Sequence, residues 1–300
     1  MSAAAFIAGD WGTSNLRLAL CDDDGQALEL RKGPGAAEAR GKFPETLDAL
    51  SAQWRAAHGE LPVFLCGMVG SAFGWKEAPY LACPAQVYEL ADELVSPRPH
   101  VHIVPGMKCV NPLGAPDVMR GEETQLLGAG IDSTKALVCM PGTHTKWVSL
   151  HGGGVQEFLT VPTGELFAML CDHSVIVRDP STPMTHRAAE FERGLAESAH
   201  HPGIPVLHKI FQARTLRLDK QLAPEGAASW LSGLLVGTDV AGALSLLGTG
   251  SETVHVVGTP ALAQAYSAAL ARAGRKAQVI DGEEAAFAGL AHLHRQRRES

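Results

Sequence analysis

Residues 7–17 read IAGDWGTSNLR. The apolar run from Phe6 ends at Asp10, a small polar turn Gly12-Thr13-Ser14-Asn15 follows, and a second apolar run, LRLALCD, carries Arg17. Short apolar runs joined by a polar turn predict two buried strands. Glycine has no Cβ, so a ligand can approach its backbone closely. Successive exposed N–H groups in such a turn form a concave nest that attracts anions, and Thr13 adds a hydroxyl donor. A carboxylate at the end of a buried strand is costly unless partnered. For Asp10 the partner is either Mg²⁺, usually held partly through water, or the N–H groups of its own turn.

The same pattern returns further along. KALVCMPGTHTKWVSLHGGGVQEFLTVP, from Lys135, predicts strand, Gly142-Thr143 turn, strand, glycine turn and strand. At the N-terminus the third strand follows the turn DDDGQ, where Asp and Gly supply the hairpin geometry. Two related halves are therefore expected, 1–133 and 134–300, with the boundary in AGIDSTK. A Gly-Thr turn in each half suits a clamp on a polyphosphate, and Lys146 beside the second turn favours phosphate and metal over local capping. The turns are not P-loops: no GxxxxGK[ST] occurs, and each turn leads into a strand. Nor does a GxGxxG open a helix after the first strand, which argues against dinucleotide binding.

Composition narrows the field. The chain has 300 residues, enough for two domains, with 46% hydrophobic and 19% charged residues. A net charge of −7 argues against nucleic acid as a partner. The basic tail HRQRRES suits a solvated helix end. The six cysteines form no CxxC pair and several lie in apolar runs, as expected of buried free thiols in a reducing compartment. The N-terminus lacks the basic and apolar regions of a secretory signal, and no run reads as a bilayer span. A cytoplasmic protein without a membrane partner is expected.

Helices are predicted over FPETLDALSAQWRAAHG, in DVMRGEETQLLGAGI, over 164–176, 187–199 and 226–247, in ALAQAYSAALARAG and in the C-terminal GEEAAFAGLAHLHRQRR. Strands are predicted in PVFLCGMVGS, VHIVPG, SETVHVVGTP and AQVID. His100, His102, His200 and His201 have no further ligands at metal-binding spacing and read as surface residues.

With these motifs placed, DWGTSNLR resembles the first phosphate loop of the actin, Hsp70 and sugar-kinase superfamily. MPGTHTKWV is similar to its second phosphate loop, and VVGTPALAQAY to its adenosine turn. RGEETQLLGAG resembles the segment that carries the catalytic base in many carbohydrate kinases. Together with GMVGSAFGWKEAPYL, TVPTGELFAML and LSGLLVGTDV, in this order over essentially the whole chain, they resemble the 2-dehydro-3-deoxygalactonokinase family.

The resemblance implies an α/β fold of the two-lobed, actin-like (ribonuclease H-like) kind, with a mixed sheet flanked by helices in each lobe. It implies ATP-dependent phosphorylation of the 6-hydroxyl of 2-dehydro-3-deoxy-D-galactonate in galactonate catabolism, with ATP and Mg²⁺ as cofactors. Gly12, Thr13 and Ser14, and Gly142, Thr143, Thr145 and Lys146, then face the phosphates, and Asp10 organises Mg²⁺. Glu122 matches the catalytic base, as glutamate in place of the superfamily's more usual aspartate; its neighbour Glu123 stays open as the alternative. Arg17 either joins the loop or pairs with a buried carboxylate. Ser71, Trp75, Lys76 and Arg120 are the candidates for the sugar-acid pocket, Trp75 alternatively serving packing, with Arg120 or Lys76 on the carboxylate. Gly258 and Thr259 are placed at the adenosine end with Gly233 and Gly237, whose alternative is helix packing. The competing functions are a kinase for another sugar acid or ketose, and an actin- or Hsp70-like conformational ATPase. Partners are expected to be ATP and the sugar acid; self-association is left open.

Overall fold

The computed structural model describes residues 3–131, 133–177, 185–248, 250 and 253–299. The chain forms two compact units. The first comprises Met1–Lys135, Ser149–Phe158 and Ile280–Ser300; the second comprises Ala136–Val148 and Leu159–Val279.

The chain runs β1 (Phe6–Trp11), β2 (Asn15–Cys21), β3 (Ala27–Pro34), α1 (Phe43–His58), β4 (Val63–Gly67), β5 (Tyr80–Ala82), β6 (Ala85–Gln86), β7 (Val95–Arg98), β8 (Val101–Ile103), β9 (Gly106–Val110), β10 (Pro116–Met119) and α2 (Glu122–Ala129). It continues with β11 (Lys135–Met140), β12 (Thr145–His151), β13 (Gly154–Val161), α3 (Thr163–His173), α4 (Ala188–Ala199), α5 (Gln212–Leu218), α6 (Ala227–Leu247), β14 (Thr253–Gly258), α7 (Pro260–Arg272), β15 (Lys276–Asp281) and α8 (Gly282–Glu299).

In the first unit the main sheet has the order β3-β2-β1-β4-β8-β7. β1, β2 and β3 form an antiparallel meander, and β4 lies parallel to β1. The hairpin between β2 and β3 closes as its composition suggests: Asp22 accepts the N–H groups of Asp24 and Gln26, and Gly25 takes a positive φ of 87°. Side chains alternate across β1. Ile7 and Trp11 join the core beneath α1, with Phe43, Leu47 and Trp54. Phe6 points the other way and stacks on His294 of α8, ring centroids 4.5 Å apart. A three-stranded sheet, β10-β9-β5, completes this unit.

The second sheet has the order β15-β14-β11-β12-β13-β6, its last pairing, of Gly154 with Gln86 and Val155 with Ala85, lying within the first unit. The run β13-β12-β11-β14 repeats β3-β2-β1-β4, and β14 lies parallel to β11 as β4 does to β1. The internal echo of the sequence is thus an echo of topology, and the fold is the two-lobed mixed α/β fold of actin-like ATPases. α6 is apolar and long enough to cross a bilayer by length and composition, which the sequence reading overlooked. It is a core helix of the second unit: Trp230, Leu231, Leu234, Leu235 and Val240 are all buried.

Several local expectations change. DVM is strand β10, and the helix begins only at Glu122, after Gly121 at φ 107°. The helical half of YLACPAQVYELADEL is a 3₁₀ stretch, Val87–Glu93. α3 ends at His173, short of 176, and α5 was not foreseen. The C-terminal helix α8, read with the second half, packs in the first unit, where a Cβ on Gly128 would overlap the Ala285 carbonyl and one on Gly289 the Thr124 carbonyl. All six cysteines are free, and Cys21, Cys66, Cys139 and Cys171 are buried.

Candidate active site

The first Gly-Thr turn closes with Gly12 N–H donating to the Asn15 carbonyl at 2.9 Å. Gly35 backs it so closely that a Cβ there would overlap Thr13 and Ser14 backbone. From behind, the N–H groups of Ala36 and Ala37 donate to the carbonyls of Gly12 and Thr13, at 2.9 and 3.1 Å. The carbonyls are therefore spent inward, while Thr13 and Ser14 are exposed. Their amide hydrogens meet no acceptor among the described residues.

The second turn is built alike. Gly164, at the start of α3, backs Gly142 and Thr143 with no room for a Cβ, and Glu165 N–H donates to the Thr143 carbonyl at 2.9 Å. Thr143 and His144 are exposed, and their amide hydrogens likewise meet no acceptor among the described residues. Gly12 and Gly142 differ from their backing glycines. Neither has positive φ, and a Cβ would come no nearer than 3.5 Å to Asn15 O and 3.8 Å to His144 O. Nothing in the protein itself demands glycine at these two positions.

Asp10, next to last in β1, lies directly opposite Arg17 of β2. Its carboxylate lies 3.1 Å from Arg17 Nη2, and Arg17 Nη1 donates to Glu283 of α8 at 2.8 Å. Arg17 therefore takes the ion-pair alternative. Burial raises the Asp10 carboxyl above its ordinary range; the Arg17 charge opposes this, and Glu122 and Glu283 add to it. Two positive-φ glycines make room beside it. A Cβ on Gly67 would sit 2.8 Å from Trp11 O, and one on Gly121 would touch Gly67 Cα at 3.4 Å.

Glu122 and Glu123 open α2 and are set in different surroundings. Glu123 is 0% exposed. It accepts both Gly121 N–H, at 2.7 Å, and the Thr124 hydroxyl, at 3.0 Å. Burial, then the charge of Glu122, pushes its carboxyl up to about 8. Glu122 is half-buried, accepts Arg120 N–H at 3.0 Å, and stands close enough to Asp10 to raise its carboxyl. Of the two, only Glu122 is partly exposed.

The sugar-acid candidates divide. Ser71 ends the 3₁₀ turn Met68–Gly70. Arg120 lies under that turn, its Nη1 2.9 Å from where a Gly70 Cβ would be. Its Nη2 donates to Ala78 O at 2.8 Å and the guanidinium stacks 4.3 Å from the Tyr80 ring centre, while Nε and Nη1 have no partner among the described residues. Trp75 packs against the core with Arg98 over its ring, the packing alternative. Lys76 is drawn to β7, where it donates to Ser96 O at 3.0 Å.

In the second unit Gly258 ends β14 against Pro141, beside the second turn, and Thr259 is the exposed residue that precedes α7. Gly233 and Gly237 meet α4. A Cβ on Gly233 would overlap Phe191 O, and one on Gly237 would overlap Ser198 Oγ, both on α4. Their missing side chains let the two helices touch, the packing alternative. Thr145 and Lys146, expected to face the phosphates, are buried; the Thr145 hydroxyl is 2.8 Å from Tyr266 OH. Sequence reasoning assigned no role to Gly35, Gly67, Gly121, Gly164 or Glu283. The signal for Gly121 and Gly164 was present, since each directly precedes an acidic helix start, in RGEE and PTGE.

Comparison with known proteins completes the picture. The chain is 38% identical to a probable 2-dehydro-3-deoxygalactonokinase of Rhizobium meliloti (strain 1021) and 37% identical to the 2-dehydro-3-deoxygalactonokinase of Escherichia coli (strain K12), with 96% of each chain covered in both cases. A crystal structure of a candidate 2-dehydro-3-deoxygalactonokinase from Sinorhizobium meliloti superposes with a TM-score of 0.88 at 36% identity, covering 97% of this chain and 99% of that one. The profile of the 2-keto-3-deoxy-galactonokinase family matches residues 10–293, and the chain belongs to that family.

Proposed function

We propose that the chain transfers the γ-phosphoryl group of ATP to the 6-hydroxyl of 2-dehydro-3-deoxy-D-galactonate, as a soluble cytoplasmic step of galactonate catabolism. Family membership makes it a kinase; its relatives are named for this substrate. The observation that carries the residue-level reading is the pair of Gly-Thr turns. In each, backing segments occupy carbonyls, amide hydrogens are left outward, and the leading glycine has room that its own chain does not use. Such turns suit phosphate oxygens.

Phosphoryl transfer is mainly positioning and charge stabilisation. Thr13 and Ser14 offer one set of donors and Thr143 another, Gly12 and Gly142 leave room for the phosphates, and Gly258 and Thr259 lie toward the nucleoside. Thr145 and Lys146 support the second turn from within. Glu122 accepts the proton of the attacking hydroxyl; Glu123, consumed by its own helix start, holds α2 in place. Arg120, with two guanidinium nitrogens that have no partner among the described residues, and Ser71 lie on the sugar-acid side.

Mg²⁺ fits the first unit through Asp10. It needs only one or two carboxylates when phosphate and water complete its shell. Asp10 has two further acidic neighbours, Glu122 and Glu283, against the single charge of Arg17, a setting that a cation would relieve. Among the described residues no cluster of three or more such ligands occurs. Bound there, the ion neutralises charge on the phosphates.

The testing experiment is coupled ADP release over a panel of 2-keto-3-deoxy sugar acids. The galacto-configured acid is expected to give the highest kcat/KM. A different sugar acid or a ketose in first place would overturn the substrate assignment.

A further inference from the structure

The second turn rests on a buried polar cluster whose centre, Asp239, has no part in the reaction above. Asp239, in α6, is 7% exposed. Its carboxylate receives Trp147 Nε1–H at 2.8 Å on one oxygen, and the hydroxyls of Thr163 and Tyr266 on the other, both at 2.6 Å. With the Tyr266 proton given to Asp239, its oxygen is free to accept. The 2.8 Å contact to Thr145 then has Thr145 as donor. The chain of donation runs from Thr145 through Tyr266 to Asp239, and every proton in it has an acceptor. Burial raises the Asp239 carboxyl, and these hydrogen bonds oppose that rise.

Such a cluster is an unusual way to fill a core. Well-packed apolar residues often serve stability as well as a buried charge, so its use lies in what it fixes. Thr145 begins β12, directly after Gly142-Thr143-His144. Thr163 begins α3, beside Gly164 and Glu165, the residues that back the same turn. One carboxylate thereby pins both flanks of the turn, and Trp147 pins the strand that leaves it.

We propose that Asp239, acting directly on Thr163 and through Tyr266 on Thr145, is the positioning residue for the second Gly-Thr turn, holding its amides at the spacing that an ATP phosphate requires. This rests on the assignment of that turn to phosphate. The cluster governs nucleotide affinity and leaves recognition of the sugar acid to the first unit.

The test uses the full chain and three readouts: KM for ATP, KM for the sugar acid, and the Kd of a non-hydrolysable ATP analogue, each beside the thermal midpoint. Tyr266→Phe keeps the ring and removes the relay; Thr163→Val removes the other flank without changing shape. Each is expected to raise both KM for ATP and the analogue Kd about tenfold, the scale of one lost buried hydrogen bond. KM for the sugar acid stays within about twofold, well below that scale. Thr163→Ser, which keeps the hydroxyl, restores ATP affinity. A lowered thermal midpoint with unchanged ATP constants in both variants would show a structural role only and overturn the proposal. Gly142→Ala separates the two layers. If it weakens ATP binding while Tyr266→Phe and Thr163→Val do not, the positioning role fails. If Gly142→Ala binds ATP normally, the phosphate assignment itself fails.

Discussion

Gly12→Ala and Gly142→Ala set the folded protein and its ligand against each other. In the protein alone the new methyl groups are tolerated: their nearest neighbours would be Asn15 O at 3.5 Å and His144 O at 3.8 Å, ordinary contacts, and neither backbone is left-handed. Replacing glycine where its conformation suits alanine restricts the unfolded chain and stabilises by about 0.4–1 kcal/mol. With phosphate bound the balance reverses. An oxygen accepting an adjacent amide lies about 2.9 Å from the nitrogen, in the space the methyl would fill. Losing one hydrogen bond to a charged group costs about 1.5–3 kcal/mol, so KM for ATP should rise about 10- to 100-fold. Gly35→Ala and Gly164→Ala are the internal controls. Their methyls would meet backbone at once, and overpacking of this kind costs about 1–3 kcal/mol. The assay pairs thermal unfolding with ATP-dependent ADP release. Unchanged KM for ATP in Gly12→Ala and Gly142→Ala, or a stability loss as large as in the controls, would refute the reasoning.

Three further outcomes follow. Glu122→Gln should retain the ATP analogue yet lose about 10²- to 10⁴-fold in kcat, the usual worth of a general base; near-normal turnover would remove Glu122 from that role. Because the Arg17 charge lowers the Asp10 carboxyl against its burial, Arg17→Gln should raise that carboxyl, and the acid limb of kcat/KM should move to higher pH; an unmoved limb would separate Asp10 from activity. Glu123 titrates near 8 in the folded chain, above the ordinary 4.5 of a glutamate. The folded state thus holds the proton more tightly, and its stabilising effect, complete below about pH 4.5, fades as pH rises through about 8. Glu123→Gln should flatten this part of the stability profile measured by chemical denaturation, and an unchanged slope would exclude Glu123 as its source.

Much of the fold was legible because its repeat is local. A strand, a Gly-Thr turn and a strand can be read from apolar runs and breakers, and the same run order occurs in both sheets. What escaped the sequence is what depends on partners distant in the chain. Arg17 gave no sign that it joins Asp10 to Glu283, a residue 266 positions away. For Gly233 and Gly237 the sequence left nucleotide and helix packing open, and the helix that their missing side chains admit, α4, lies far off in the chain. The backing glycine Gly35 was hidden for the same reason: the contact that requires it, with Thr13 and Ser14, is long-range. Within the site, local burial separates Glu122 from Glu123, which adjacency in sequence leaves equivalent.

The account is tested most directly by ADP release measured with ATP and Mg²⁺ in the presence and absence of 2-dehydro-3-deoxy-D-galactonate. A kinase releases ADP only as the 6-phosphorylated acid forms, one for one, and is nearly silent without acceptor. ADP release at the same rate whether or not the sugar acid is present would contradict the account and mark the chain as a conformational ATPase.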